Sequence, residues 1–541
     1  MVNKTQFNPN NAKSESTRLI LAGNTMYRDS SRNKDQRFLN CFQESIKNEI
    51  TEGKKSYVVK RPGLTTNTTI TSGTGRGIAY FNSSIFTVIG DKLYRGTSAI
   101  QTLGTSTGPV GFKEFDNEGL RYLFVCDGTD AYVVDTSWVV TKVNQTYSAW
   151  VGSTNYALGD KVVPTVANGF YYEVTTDGGS SGGSQPTWPT TIGNTVVDGG
   201  ITWTCAGNYG GFPSPHVPTP EFIDGYMLLP ATNSQDVYNS DVDNVFGWGT
   251  GNFVTAEIFP DNVVALARQN NQIIAFGSTS GEFLYDAAAT GGSPFARNDS
   301  AVLQMGIAAP YAIYQNEKFC LFVGQSDSGG RAVWLVEGFQ PKKVSTEFIE
   351  RILDAEGTSL ATARGFGLRT KGHLFFIIRL TNTSIVYDLE EKVWHEWTTN
   401  SNGSHTAFAA IGAADSGAGY SYLLHPTNGV VYNLSTSAYD DSGTSILMEI
   451  YTAKFDLDTM NRKFMHNLNI VGDLQTGSTI SLRWSDDDYQ TWSNWKTLDM
   501  ASRAFFTRLG SFRRRAFNIK YTDNYPCRLE FLECEVDVGT H

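Results

Sequence analysis

The sequence lacks long apolar runs and is poor in charge. Its longest uninterrupted apolar stretches, such as 374–378, fall far short of the ~20 residues that a bilayer core requires, so we expect no membrane-spanning segment. Charged residues make up 18% of the 541 positions, below the roughly 25% of average globular proteins, which excludes a disordered polyelectrolyte and a coiled coil. The polar first residues lack the apolar centre of a secretory signal, so we expect no export by that route.

Patterned cysteines and catalytic motifs are also missing. The six cysteines are widely spaced and form no C-x-x-C pair, so neither a zinc site nor a disulfide framework is predicted, and we expect buried free thiols. The sequence contains no phosphate-binding glycine loop, no dinucleotide fingerprint and no H-E-x-x-H motif. We therefore expect no metal, no cofactor and no catalytic residues, and predict that the protein is not an enzyme.

Glycine and aromatic residues are abundant, with 53 Gly and 13% Phe, Trp and Tyr. Between about 76 and 436 one hairpin pattern recurs, in which two alternating apolar strands flank a turn of Asn, Asp or Gly. The positions that close successive hairpins are 45–52 residues apart, the length of a four-stranded propeller blade; they are Asp286, Val336, Asp388 and Asn433. This repetition predicts a β-propeller with about five or six blades.

Three segments interrupt the repeat and divide the chain into predicted domains. Residues 1–64 have few strand signals and predict an N-terminal arm with entry strands. Residues 147–215 are rich in Gly, Ser, Pro and aromatic residues and predict an inserted small β module, whereas residues 445–541 return to alternating strands. With blades at 65–146 and 216–444, the predicted fold is all-β: a β-propeller body, the inserted module, and a C-terminal β-sandwich or barrel-like domain.

Charge is unevenly distributed along the chain. Residues 1–64 contain 12 Lys and Arg against 6 Asp and Glu, and residues 500–541 contain 7 against 5, which leaves 24 against 43 in residues 65–499. This acidic body excludes a general nucleic-acid binder, because duplex affinity depends on a basic footprint that neutralises phosphates. It is compatible with a passage through which DNA slides without sticking.

The densest basic run lies within 501–521, which contains no acidic residue. Its plainest interpretation is a solvated strand face or a docking surface for acidic neighbours, and the alternative is phosphate contact. The residues that we predict to contact ring neighbours or partners are Arg508, Arg513, Arg514 and Arg515.

One short motif resembles a feature of sialidases and related propellers, the Asp-box. It is the segment SDDDYQTW at 485–492, with Tyr489 where that family has Gly. The positions in register are Ser485, Asp487, Thr491 and Trp492. In that family the box is a hairpin turn away from the active site, so the resemblance implies a structural turn in which the Asp accepts backbone N–H bonds and the Trp packs beneath it.

The insert resembles small carbohydrate-binding modules. Its segments AWVGSTNYALGDKVV (149–163) and FYYEV (170–174) are similar to the start of chitin- and cellulose-binding modules. Exposed aromatic rings in those modules stack on sugar faces, which implies candidate glycan contacts at Trp150, Tyr171 and Tyr172. The alternative is that the same rings form the small core that a module of about 60 residues needs.

Several segments together resemble the tail hub or nozzle proteins of short-tailed bacteriophages, a family often called packaged-DNA stabilisation proteins. The matching segments are VKRPGL (59–64), RGIAYFNSSIFTVIGDKLYRG (76–96), IIAFGSTSGEFLYDAAATGGSPFARND (273–299), VLQMGIAAPYAI (302–313), SLRWSDDDYQTWSNW (481–495) and FTRLGSFRRRAFNIKY (506–521). They follow one another along most of the chain, whereas the insert at 147–215 departs from the simpler members.

This resemblance implies a structural virion protein of the phage tail, made in the host cytoplasm. Such proteins form a ring, commonly a homohexamer, below the portal and the head-completion ring, where they extend the DNA channel, retain packaged DNA and gate its ejection. The implied partners are other copies of the chain, the head-completion or adaptor ring, a tail needle, plug or fibres, and double-stranded DNA that passes through without specific binding. The alternative is a glycan-binding or sialidase-like, glycan-processing propeller on the virion or cell surface.

Overall fold

The computed structural model describes residues 15–22, 36–48, 53–117, 119–176, 178–326, 328–417, 419, 421–503 and 505–540. Its regular structure is almost all β-strand, and the helices of the described part are the α-helix Glu347–Ala355 and the 3-10 helix Gly357–Thr362. The strands form a series of four-stranded sheets, an inserted module and a sandwich.

Seven antiparallel sheets form the blades of a β-propeller, each with its inner strand first in the following lists. Blade 1 contains Gly75–Phe81, Ser84–Ile89, Lys92–Arg95 and Ser98–Thr102. Blade 2 contains Gly111–Asn117, Leu120–Cys126, Ala131–Val134 and Val140–Lys142. Blade 3 contains Glu221–Ile223, Tyr226–Pro230, Asp236–Asn239 and Phe253–Thr255. Blade 4 contains Ala265–Gln269, Gln272–Phe276, Gly281–Asp286 and Phe295–Leu303.

The remaining three blades follow the same plan with local additions. Blade 5 contains a divided inner strand, Gly306–Ile307 and Ile313–Gln315, then Phe319–Gln325, Arg331–Glu337 and Gln340–Lys343. Blade 6 contains Arg364–Thr370, His373–Arg379, Ser384–Asp388 and Val393–Glu396. Blade 7 contains Gly412–Asp415, Ser421–Leu424, Val430–Ser435 and, as its fourth strand, Gly63–Thr69, followed by the short strands Asp440–Asp441 and Thr444–Ser445.

The seven inner strands close a ring. Each lies against the inner strand of the next blade, and Gly412–Asp415 of blade 7 lies against Gly75–Phe81 of blade 1. Consecutive blades share hydrophobic cores, as where Phe86 of blade 1 packs with Leu123 of blade 2, both almost fully buried. The prediction of an all-β chain with a propeller body is therefore confirmed.

Turn chemistry explains why many of these hairpins form locally. Phe81 pairs with Ser84 across Asn82 and Ser83, whose φ angles are both positive at 42° and 60°. Two consecutive positive φ angles define the type I′ turn, whose twist matches that of antiparallel strands. Lys371 and the following glycine, at 49° and 84°, make the same kind of turn in blade 6.

The ring has seven blades, whereas sequence spacing predicted five or six. Blades 1 and 2 begin only 36 residues apart, at Gly75 and Gly111, and the insert separates blade 2 from blade 3. Blade 7 takes its fourth strand, Gly63–Thr69, from far upstream of its other three. The closing positions of blades 4 to 7 follow the 45–52-residue period, whereas the short step from blade 1 to blade 2 and the insert before blade 3 do not.

The N-terminal and C-terminal strands combine in a two-sheet sandwich. Its first sheet contains Glu15–Ile20, Cys41–Asn48, Gly53–Lys60, Lys463–Gly472, Phe506–Thr507, Ser511–Phe512 and Arg528–Val538. Its second sheet contains Arg37–Leu39, Met448–Tyr451, Thr479–Ser485, Lys496–Asp499 and Ala516–Tyr521. Both sheets contribute to one core, in which Leu532 of the first lies among Ile450 and Leu482 of the second. The described parts of 1–64 thus complete the chain's own sandwich and propeller.

The insert lies between blades 2 and 3, and a hairpin lies between blades 6 and 7. The strands of the insert are Ser148–Ala149, Asn155–Tyr156, Lys161–Val163, Phe170–Val174, Gly179–Ser180, Thr195–Asp198 and Ile201–Asn208. The hairpin is Thr398–Ser401 with Ser404–Ala407. Blade 6 is continuous with the second sandwich sheet, because Leu39 pairs with Glu396.

Candidate functional site

Glycines in the inner strands let neighbouring blades of the propeller pack closely. A Cβ built on Gly365 would lie 2.7 Å from the Ala312 Cα, and one built on Gly367 would overlap the Tyr314 ring. These positions let blades 5 and 6 approach more closely than any side chain would allow. The space that remains beside them is a cavity of about 390 Å³ shared by blades 5, 6 and 7.

One buried carboxylate connects four consecutive blades at the axis. Glu221 of blade 3, 3% exposed, accepts hydrogen bonds from Lys113 Nζ of blade 2 and from Gln315 Nε2 of blade 5. Gln315 Oε1 in turn accepts from the backbone N–H of Arg268 in blade 4 at 2.6 Å. The polar groups of the axis are therefore used for bonds between blades.

A buried ion pair holds the strand that closes the propeller. Arg61, fully buried, donates to both carboxylate oxygens of Asp441, from Nη2 at 2.6 Å and from Nη1 at 2.9 Å. It also donates to Asn40 Oδ1 at 2.9 Å and to the Thr398 carbonyl at 3.0 Å. Because Gly63–Thr69 begins two residues later, this network fixes the entry of the closing strand into blade 7.

The three candidate glycan contacts lie in the interior of the insert. Trp150, Tyr171 and Tyr172 are 6%, 3% and 0% exposed. Trp150 Nε1 donates to Asp198 Oδ2 at 2.8 Å, and Trp203 Nε1 donates to the same oxygen at 2.9 Å. None of the three offers a free ring face to a sugar, so the expected glycan contact is corrected: their burial supports core packing, the alternative considered from the sequence.

The Asp-box-like segment forms a hydrogen-bonded turn. Asp487 Oδ1 accepts from Ser485 Oγ at 2.8 Å and from the Thr491 N–H at 2.9 Å, and Thr491 Oγ1 donates to Oδ2 at 2.5 Å. Hydrogen bonds from the Thr491 hydroxyl and N–H hold the pKa of Asp487 at about 2. Tyr489, in the position of the family's glycine, has a φ of 67°. Trp492 packs edge-on against Tyr451 with centroids 5.7 Å apart.

The four arginines predicted as contacts do not share one environment. Arg508 and Arg513 are exposed, and Arg514 is half-buried, 3.7 Å from Asp488 Oδ1. Arg515 is 1% exposed and forms a bidentate pair with Asp486, at 2.7 and 2.8 Å. The prediction for Arg515 is therefore corrected to an internal role, because the chain bends at 513–514 and Arg515 then pairs with Phe455 in an isolated bridge, where its side chain is enclosed and bound to Asp486.

Sequence reasoning missed Arg61 and Glu221 as organising residues. Arg61 lies in the quoted segment VKRPGL, but its partner Asp441 is 380 residues downstream, and no local pattern connects them. The described residues include no group of three or more His, Cys, Asp or Glu placed to hold a metal ion. All six cysteines are buried and free, as predicted. The helices of the described residues include none long and apolar enough to cross a bilayer.

Part of the propeller matches a family of bacteriophage propeller proteins. Residues 216–418, which cover blades 3 to 6 and the start of blade 7, match the family model Phage_stabilise, described as Bacteriophage P22 Gp10, beta-propeller. The match spans less than half of the chain and supports a phage structural protein related to this family. No curated protein matches the chain.

Several solved structures match the chain at low similarity. The N-terminal domain of Nup159 is 8% identical, with 73% of this chain and 97% of that chain covered and a TM-score of 0.33. PorZ, a surface component of the type-IX secretion system of Porphyromonas gingivalis, is 11% identical, with coverages of 74% and 44% and a TM-score of 0.33. The dihydro-heme d1 dehydrogenase NirN is 10% identical, with coverages of 93% and 82% and a TM-score of 0.31. Similarity at this level carries no functional argument.

Proposed function

We propose that the chain is a structural virion protein that forms a ring-shaped nozzle in the tail of a short-tailed bacteriophage. The match of residues 216–418 to the P22 Gp10 propeller family carries this proposal. The nozzle extends the DNA channel below the portal and the head-completion ring, retains packaged DNA and gates its release. A catalytic role is not part of the proposal.

The DNA path lies between copies of the chain and not along the axis of one propeller. Glycines bring neighbouring inner strands together, Glu221 bonds to blades 2 and 5, and the cavity between blades 5, 6 and 7 measures about 390 Å³. A duplex whose major groove alone is about 12 Å wide does not fit such a space. A channel for DNA therefore requires several copies around a common axis.

The charge of the body suits such a channel. Residues 65–499 contain 24 basic and 43 acidic residues, so a wall built from them repels phosphates and releases few counterions on contact with DNA. Weak contact allows rapid passage during ejection. We assign the remaining contacts, to the head-completion ring and to a needle, plug or fibres, to surfaces outside the channel.

The mass of the purified chain in solution tests the proposal. Light scattering and negative-stain imaging are done on the chain alone and after mixing with the candidate head-completion ring of the same phage. We expect a closed ring, commonly of six copies, with a central opening. A chain that stays monomeric alone and with the partner ring refutes the nozzle.

A glycan-binding or glycan-processing function has less support. The three rings that the sequence nominated for sugar contact are buried, and the Asp-box-like segment forms a turn. We therefore keep one candidate function.

A further inference from the structure

The second sandwich sheet has one face turned away from the core. Ile450, Ile519 and Leu482 of this sheet point into the core and are at most 1% exposed. The residues next to them in each strand point to the opposite side. Cross-strand pairing aligns Arg37 with Tyr451, Tyr451 with Asn518, and Asn518 with Arg483 on that opposite side. We call this surface the aromatic–cation face; its residues are Arg37, Tyr451, Arg483, Trp492, Trp495 and Lys520.

Charges at one end of the face are balanced within the chain. Arg37 forms a bidentate pair with Glu396, with Nε–Oε1 at 2.7 Å and Nη2–Oε2 at 2.8 Å. Glu449 accepts a hydrogen bond from the Tyr451 hydroxyl at 2.7 Å. Burial of these groups is therefore compensated by ionic and hydrogen-bonded partners.

Charges at the other end are not balanced. The Arg483 guanidinium lies 4.4 Å from the Trp495 ring centroid and 5.0 Å from that of Trp492, and Lys520 Nζ lies 4.3 Å from the centroid of Trp495. Within the described part of the chain, no side-chain hydrogen bond or ion pair is formed by Arg483 or Lys520. Arg483 Nε is out of contact with solvent and has no acceptor. Two cations thus converge on one indole. The carboxylate of Glu449, which lies directly opposite Lys520 in the sheet, accepts the hydrogen bond of the Tyr451 hydroxyl.

A groove adjoins the Arg37 end of the face, and neither Arg483 nor Lys520 lines it. This groove of about 460 Å³ runs between Arg37 and Tyr451 of the sheet and Phe348 and Ile352 of the helix Glu347–Ala355. Aromatic and arginine side chains beside such a groove are the residue types that most often dominate the energy of protein interfaces.

We propose that Arg483 and Lys520 bind carboxylates of a second copy of this chain, so that the aromatic–cation face is one half of the contact between neighbours in the ring. This inference rests on the proposed function. Ring closure by rotation joins two unlike surfaces of the same chain, so a basic face needs an acidic counterpart on the neighbour. The excess of acidic residues in 65–499 supplies that complement, and a planar guanidinium donates two parallel N–H bonds to the two oxygens of a carboxylate.

Charge-removing variants test the contact. The double variant Arg483→Gln, Lys520→Gln is compared with a control, Arg121→Gln, Lys92→Gln, which removes the same charge from exposed positions on blades 1 and 2. Association is followed by sedimentation velocity at low and high salt. We expect about tenfold or more weaker association for the first pair and no change for the control. The single variant Lys520→Gln changes only a half-buried position and serves as the test if the double variant does not fold. Thermal unfolding of each variant shows whether it is folded.

Zero-length cross-linking identifies the occupant. Carbodiimide joins a lysine amine to a carboxylate in direct contact, and mixed light- and heavy-nitrogen chains separate links between copies from links within one. We expect mixed-isotope links from Lys520 to Asp or Glu of residues 65–499. If the double variant forms the same rings as the wild type, the inference is overturned and the proposed nozzle function is unaffected. A wild type that forms no ring, either alone or with the head-completion ring, refutes both proposals. Loss of duplex-DNA binding with unchanged ring formation assigns the face to DNA and overturns the inference.

Discussion

Removal of the Arg61 guanidinium tests whether one ion pair holds the propeller closed. Arg61→Met keeps the length and apolar stem of the side chain but leaves Asp441, whose side chain is 7% exposed, without its counter-charge. It also frees the acceptors on Asn40 and Thr398. Breaking a buried ion pair on one side costs about 3–5 kcal/mol, far more than an exposed pair contributes. We expect a loss of this size at blade 7.

Hydrogen exchange of individual amides measures this loss where it occurs. Amides of Gly63–Thr69 that bond to Val430–Ser435 exchange through opening of blade 7, so a loss of about 3 kcal/mol speeds them by about 100-fold. Amides of blade 4, on the other side of the ring, should change less. Adding Asp441→Asn to Arg61→Met removes the isolated charge and should recover part of the loss.

The matched control is Arg121→Met. Arg121 pairs with Glu114 on blade 2 with both side chains exposed, at 59% and 38%, so its loss should cost at most about 1 kcal/mol. The reasoning is refuted if Arg61→Met speeds exchange of Gly63–Thr69 by less than tenfold, or if Arg121→Met has an equal effect.

Three further outcomes follow from other sites. Burial lowers the pKa of His395 to about 4, and neither ring nitrogen has a hydrogen-bond partner among the described residues. Between pH 6.5 and 4 the unfolded state binds the extra proton, so the free energy of unfolding decreases by about 1.4 kcal/mol for each unit by which the pH is lowered. His395→Leu should therefore reduce the shift of the urea midpoint between pH 7 and pH 5, and an unchanged shift contradicts this prediction. Asp198→Ala leaves the indole N–H groups of Trp150 and Trp203 without their acceptor and should destabilise the insert by about 1–3 kcal/mol. Thermal unfolding followed by near-ultraviolet circular dichroism measures this loss. An unaltered unfolding curve argues against the buried indoles as the core of the insert. Gly367→Ala should lower the urea midpoint by the equivalent of about 1–3 kcal/mol because its methyl overlaps the Tyr314 ring; Gly330→Ala, which meets open space, is the control, and equal effects would exclude the close axial packing.

Local patterns predicted the strands because alternation and turn chemistry act over a few residues. Asn82 and Ser83 belong to a hairpin that the sequence identifies directly. The fourth strand of blade 7 pairs Thr69 with Val430, and a contact across 360 residues leaves no local trace. For that reason the spacing of hairpins could not give the number of blades.

Burial was the least predictable property of the candidate residues. Trp150 fits either an exposed sugar platform or a small core, and only its bond to Asp198 inside the insert distinguishes the two. Arg513 and Arg515 are two residues apart in one basic run, yet one is exposed and the other is enclosed by Asp486 and the Phe512 ring. Charge counts describe a segment, whereas the side of the backbone on which each residue lies decides what it can contact.

The long-range closure of blade 7 has a consequence for synthesis of the chain. Gly63–Thr69 leaves the ribosome early, but its partner Val430–Ser435 follows about 370 residues later. At about 5–20 residues per second, the first strand waits roughly 20–70 s for its neighbour. A chain truncated before this point retains an open sheet edge, so only nearly full-length subunits reach a closed form that can enter a particle.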